Sequence, residues 1–140
     1  MNDNDADATI AELTTLVTRY AEGFAGDAAV TVGFYAVPMV YVGADSISVL
    51  ATRQEQIELV AEIQRRLRSS GFTHSTVERC EISLLKPTIA LCRMAGSRRR
   101  ADGSEIQRIA ATYVLTAHPD WLIRELIATD PDRAGSLPTA

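Results

Sequence analysis

Glu125 is the first residue whose type and setting suggest chemistry. Alternation along residues 121–128 puts it on the same side as Ile123 and Ile127. A carboxylate on an apolar sheet face holds its proton more tightly than in water, which suits a general acid or base. Counting from the neighbouring turn sets Tyr113 opposite, where a phenol can donate to that carboxylate. The plainer alternative is a glutamate at a rim, solvated or paired with an arginine. Tyr20, Tyr35 and Tyr41 are further polar groups within apolar stretches, and each also reads as a half-buried core aromatic with its hydroxyl reaching water. Cys80 and Cys92 have no zinc-type spacing and no nearby base, so they read as small core thiols. His74 and His118 stand apart and read as solvated side chains at strand ends and turns. No metal and no cofactor is expected from this set.

The chain that must position these groups has 140 residues, of which 46% are hydrophobic, with a net charge of −4. One domain of that size buries enough surface to fold without disulfides. The negative charge argues against nucleic acid as a partner. The longest apolar runs fall short of a membrane span, and the acidic start, Met1-Asn2-Asp3-Asn4-Asp5, has no apolar run of a signal peptide. A cytoplasmic protein is expected, with no membrane partner. Arg98-Arg99-Arg100 sits at a predicted hairpin tip, where solvated charge is the plain reading and an anion contact the sharper one.

Ile10, Leu13, Leu16, Val17, Tyr20 and Phe24 recur at helical spacing, with Asp5 or Asp7 as cap. A shorter helix is predicted from Asp27, carrying Val30, Phe34 and Tyr35 and stopped by Pro38. Residues 39–42 and 47–50 flank Gly43-Ala44-Asp45-Ser46 and read as a hairpin. Thr52 and Glu55 form a capping box for a long helix bearing Ile57, Val60, Ala61, Ile63 and Leu67. After Gly71 the period changes to two, and residues 75–85, 89–99, 105–117 and 121–128 read as four strands of an antiparallel meander. Asp102-Gly103 is a type I′ turn signature. The turns pair Glu81 with Arg93, Cys92 with Tyr113, Leu115 with Ile123 and Tyr113 with Glu125.

This order, helix, helix, hairpin, long helix, four-strand meander, resembles the nuclear transport factor 2-like superfamily of SnoaL-like polyketide cyclases, ketosteroid isomerases and limonene epoxide hydrolases. Asp27-Ala28-Ala29 through Phe34-Tyr35 looks like its second helix. Tyr113-Val114-Leu115, His118-Pro119-Asp120 and Trp121-Leu122-Ile123 look like its closing hairpin. The likeness covers residues 8–130, with residues 1–7 and 131–140 expected to be flexible.

The resemblance implies an α+β cone: a curved antiparallel sheet wrapped around the helices, ordered α-α-β-β-α-β-β-β-β, with a mostly apolar pocket at its open end. Tyr20, Tyr113 and Glu125 would be its catalytic candidates. Phe24, Tyr35, Tyr41, Val60, Met94, Trp121 and Ile123 would complete the lining. Tyr20 lies on the helix where the isomerases carry a tyrosine, but no aspartate falls on the inner face: Asp45 is in a turn and Asp102 at a hairpin tip. The arginine and aspartates of the epoxide hydrolases find no match, since Arg93 and Arg108 fall on the outer face. The implied function is binding of a small apolar or polyketide-like compound, with acid–base isomerase, cyclase or hydrolase chemistry as its enzymatic form. The alternative is a non-catalytic dimeric association module. A homodimer would form through the outer sheet face, with Glu81, Arg93, Arg108, Thr112, Val114 and Leu122.

Overall fold

A computed structural model describes residues 2–129. Helix α1 (Asp3–Glu22) is followed by a 3₁₀ turn at Gly23–Ala25, helix α2 (Ala28–Thr31) and a second 3₁₀ turn at Val32–Phe34. Strands β1 (Tyr35–Val42) and β2 (Ile47–Leu50) precede helix α3 (Arg53–Ser69). Strands β3 (Phe72–Lys86), β4 (Ile89–Arg100), β5 (Glu105–Ala117) and β6 (Trp121–Ala128) complete the chain's regular structure. The six strands form one curved, unclosed sheet in the order β2-β1-β6-β5-β4-β3. This is the anticipated α+β order.

Several details depart from the sequence reading. Asn2, not Asp5 or Asp7, caps α1, accepting from the Asp5 amide at 2.8 Å. The helix therefore starts at Asp3, inside the stretch expected to be flexible. The expected flexible tail, residues 131–140, lies outside the described residues. Tyr35 opens β1 instead of closing the second helix, and Pro38 lies within that strand. The sheet is mixed, because β1 runs parallel to β6. A short turn forces antiparallel neighbours, but β1 and β6 are far apart in sequence and escape that constraint. At the β4–β5 hairpin only Gly103 has positive φ, at 85°, so the turn is not type I′. The Gly103 amide donates to the Arg100 carbonyl at 2.9 Å, and the register shifts between Arg98 and Arg99.

Helix α1 buries Leu13, Val17, Tyr20 and Ala21, the face its apolar spacing predicts. Helix α3 buries Val60 and Leu67 of the predicted stripe, together with two glutamines, Gln56 and Gln64. Ala61 is exposed and Ile57 and Ile63 are half-buried. Two glutamines reach the interior because each binds a backbone carbonyl that would otherwise be unpaired. Gln56 donates to Ala36 at 2.7 Å and Gln64 to Phe24 at 2.6 Å. Arg53 adds bonds to the carbonyls of Val32 and Tyr35 and to the Gln56 side chain. The first turns of α3 thus hold the corner from which Tyr35 projects. Thr52 caps α3 as expected, accepting from the Glu55 amide at 3.1 Å. The Glu55 carboxylate, however, returns to the Thr52 hydroxyl at 3.1 Å.

Strand β3 carries a register irregularity between Val77 and Arg79. Gly96 stands opposite, and a Cβ there would lie 2.3 Å from the Thr76 carbonyl oxygen. Only glycine lets the two backbones approach this closely.

Candidate functional site

Helices α1 and α3 cover the inner sheet face and leave a cavity of about 240 Å³ to which all six strands contribute. Its deep wall is aromatic. Tyr20 packs edge-on against Tyr113, with ring centroids 5.8 Å apart, and against Phe24 at 6.0 Å. Its hydroxyl lies 2.5 Å from that of Tyr35. One of these two phenols donates to the other, so the acceptor keeps a proton free to donate elsewhere. Met39, Val60, Ile63, Met94 and Leu126 supply apolar wall, and Tyr41, Ser75, Arg98, Gln107 and Arg108 supply polar groups; Arg108, expected on the outer face, thus borders the cavity, as an exposed side chain.

Burial sets the protonation of these groups. It raises Tyr20 and Tyr113 well above the ordinary phenol value, and neighbouring Tyr35 adds to the effect. Burial likewise raises Tyr35, partly offset by its bond with Tyr20. All three are therefore neutral hydrogen-bond donors at physiological pH rather than bases. Desolvation pulls the Arg98 guanidinium below its ordinary range, opposed by the tyrosines Tyr41, Tyr20 and Tyr113. It still carries charge, as an arginine in a protein does.

Tyr20, Phe24, Tyr35, Tyr41, Val60, Met94 and Tyr113 all stand on the cavity wall. Glu125 does not. The β5–β6 register shifts between Val114 and Leu115, pairing Leu115 with Ile123 but Val114 with Glu125. Arg124 is the extra residue of this bulge, and it moves the rest of β6 to the opposite face. Leu126, expected outside, takes the place opposite Tyr113 and is buried. Glu125 lies half-buried on the outer face beside Val40 and Val114. Arg124 is held by the Pro38 carbonyl at 2.8 Å. Ile123 is fully buried in the core and Trp121 packs against that core, and neither reaches the cavity.

Arg98 is the wall residue that the hairpin-tip reading missed. Its signal is the alternation Cys92, Met94, Gly96, Arg98, which keeps it on the inner face. Cys80 and Cys92 lie with their sulfurs 3.5 Å apart. Their contact and burial push the Cys92 thiol up, away from reactivity. His74 meets the Thr73 hydroxyl at 2.8 Å and His118 is exposed. Among the described residues no three His, Cys, Asp or Glu side chains converge as a metal site would require. No described helix is long and apolar enough to cross a membrane.

On the outer face Glu81 accepts from Arg79 at 2.7 Å and from Arg93 at 2.5 Å. The Arg79 bond is the main cause of a Glu81 carboxyl held below its usual range. The pairing of Glu81 with Arg93 and of Cys92 with Tyr113 agrees with the turn-based register.

Residues 9–131 match the family described as NTF2-like protein (DUF6841). Solved structures similar to this chain share its fold at low identity. An NTF2-like protein with a cystatin-like fold from Novosphingobium aromaticivorans has a TM-score of 0.68 and 16% identity, covering 84% of this chain and 79% of its own. Aln2 from a Streptomyces species has a TM-score of 0.69 and 12% identity, covering 87% and 90%. A protein from Catenulispora acidiphila, solved in complex with S-DNPA, has a TM-score of 0.69 and 13% identity, covering 91% and 96%. No curated protein matches the sequence.

Proposed function

The chain belongs to the NTF2-like family DUF6841, and from that premise we propose that it binds a small, mostly apolar molecule between its helices and its sheet. The observation that carries this reading is the cavity itself: about 240 Å³, walled by aromatic and methionine side chains with a few convergent polar groups. That volume is just under the ~300–1,000 Å³ usual for small-molecule sites, so it suits a compact one- or two-ring compound. The ligand complex of the structurally similar Catenulispora protein supports the same use of this fold. The enzymatic form of the proposal needs a base. Among the described residues the wall has no carboxylate or imidazole, and its three buried phenols are donors. Tyr20, Tyr35 and Tyr113 can orient a ligand oxygen, so the reading favours binding over proton abstraction.

The test is a titration of isotope-labelled protein with naphthol, followed by amide NMR. Shifts confined to residues around Tyr20, Tyr35, Met94 and Tyr113 are expected. An absence of saturable shifts, or shifts confined to the outer face, would contradict the reading.

A second reading, association through the outer sheet face, rests on a separate observation. That face carries two continuous rows across paired strands. One runs Val49, Val40, Glu125, Val114 and Leu91; the other runs Ile47, Val42, Ile127, Thr112, Arg93 and Glu81. Ile47 and Val49 are 73% and 63% exposed. An apolar surface ending in an ion-paired cluster suits a second copy of this chain. The two readings are compatible, because they use opposite faces of one sheet.

A further inference from the structure

We propose that Arg98 makes the cavity a site for a small organic monoanion, a carboxylate borne on an apolar ring or chain. The inference rests on the reading of the cavity as a ligand site and names the class of ligand it takes. Arg98 lies on the wall, half-buried, and forms no ion pair among the described residues. The arginines that do form ion pairs there meet carboxylates outside the cavity. Among the described residues, the one polar contact of the Arg98 side chain is a long bond to the Gln107 side chain at 3.4 Å. Its guanidinium carbon lies 6.0 Å from the centre of the Phe24 ring. This leaves most of its five N–H donors unused, and the cation partly withdrawn from water. A cation so placed favours an anion over a neutral ligand of the same shape, because the charge-assisted bond replaces lost hydration.

The surrounding groups fit an acceptor-only headgroup. The Tyr113 hydroxyl has no hydrogen-bond partner among the described residues, yet none of their buried polar side-chain atoms is left sealed without one. That hydroxyl therefore opens onto the cavity. The Tyr20–Tyr35 pair has one further proton to donate. Donors thus face the cavity in excess, and no described wall carboxylate competes for them. Arg98 is the half-buried guanidinium of the wall, while Arg108, the other arginine there, is exposed and keeps its hydration, which favours a monoanion over a dianion. The aromatic and methionine wall takes the apolar body.

The experiment compares naphthoate with naphthamide by calorimetric titration of the intact protein at neutral pH, and repeats both with Arg98→Met and Arg98→Lys. The acid is expected to bind about tenfold or more tighter than the amide. Arg98→Met should erase that preference, weakening the acid far more than the amide. Arg98→Lys should keep part of it, because it retains the charge without the fork. Equal binding of acid and amide, or a preference that survives Arg98→Met, would overturn the proposal while leaving the ligand site standing. Failure of both probes to bind would overturn the ligand-site reading and this proposal with it. Unfolding midpoints of the variants separate loss of the preference from loss of the fold.

Discussion

Tyr20, Tyr35 and Tyr113 share one low-dielectric wall, and their protons are part of the fold's stability. Each has a folded pKa above that of the unfolded chain, near 10. The folded state therefore binds these protons more tightly. The stability they confer is fully present below pH about 10 and is lost as the pH rises beyond it. Urea midpoints should fall steeply above pH about 10, and tyrosinate absorbance of these residues should appear only with unfolding. Tyr20→Phe should shallow that pH dependence and cost about 1–2 kcal/mol, since it leaves the Tyr35 hydroxyl without its partner. Three phenols titrating near their ordinary value in the folded protein would contradict this. At this scale the sequence was legible where alternation is unbroken: Tyr113 opposite Cys92, and in principle Arg98 two steps beyond Gly96. It was misleading at Glu125. A bulge of one residue at Arg124 reverses the face of everything after it, and nothing in Leu122-Ile123-Arg124-Glu125 marks the insertion.

The elements hold the site through contacts that hydrophobic periodicity does not encode. Helix α3 looks like an ordinary amphipathic helix, but it docks through Gln56 and Gln64 on carbonyls of residues 36 and 24. Glutamine at a core position reads as surface until its carbonyl partner is known, so the predicted stripe of Ile57, Val60, Ala61, Ile63 and Leu67 was right at Val60 and Leu67 but left out Gln56 and Gln64 and included the exposed Ala61. The order of elements was legible because caps, turns and the change of period are local. The parallel β1–β6 pairing was not, because it joins strands about 80 residues apart. The close approach at Gly96 has a direct test. Gly96→Ala puts a methyl against the Thr76 carbonyl, and urea unfolding should show a loss of about 1–3 kcal/mol. An unchanged midpoint would mean that the β3–β4 approach relaxes freely.

For the whole molecule, one sheet separates the two surfaces that the two proposed readings use. The inner face and helices enclose a cavity; the outer face presents apolar rows that a second copy would cover. Sedimentation equilibrium should give twice the 15.2 kDa chain mass, and Val49→Lys or Val114→Lys should shift the population to monomer. A monomer at high micromolar concentration would contradict association of this kind without touching the cavity. The central claim is that the space beneath α1 and α3 is a ligand site and not a packing gap. Its most direct measurement is the naphthol titration repeated on Met94→Trp, which fills the cavity from β4 and leaves the outer face unaltered. The account predicts a folded variant with saturable binding lost. Undiminished binding by folded Met94→Trp would contradict it.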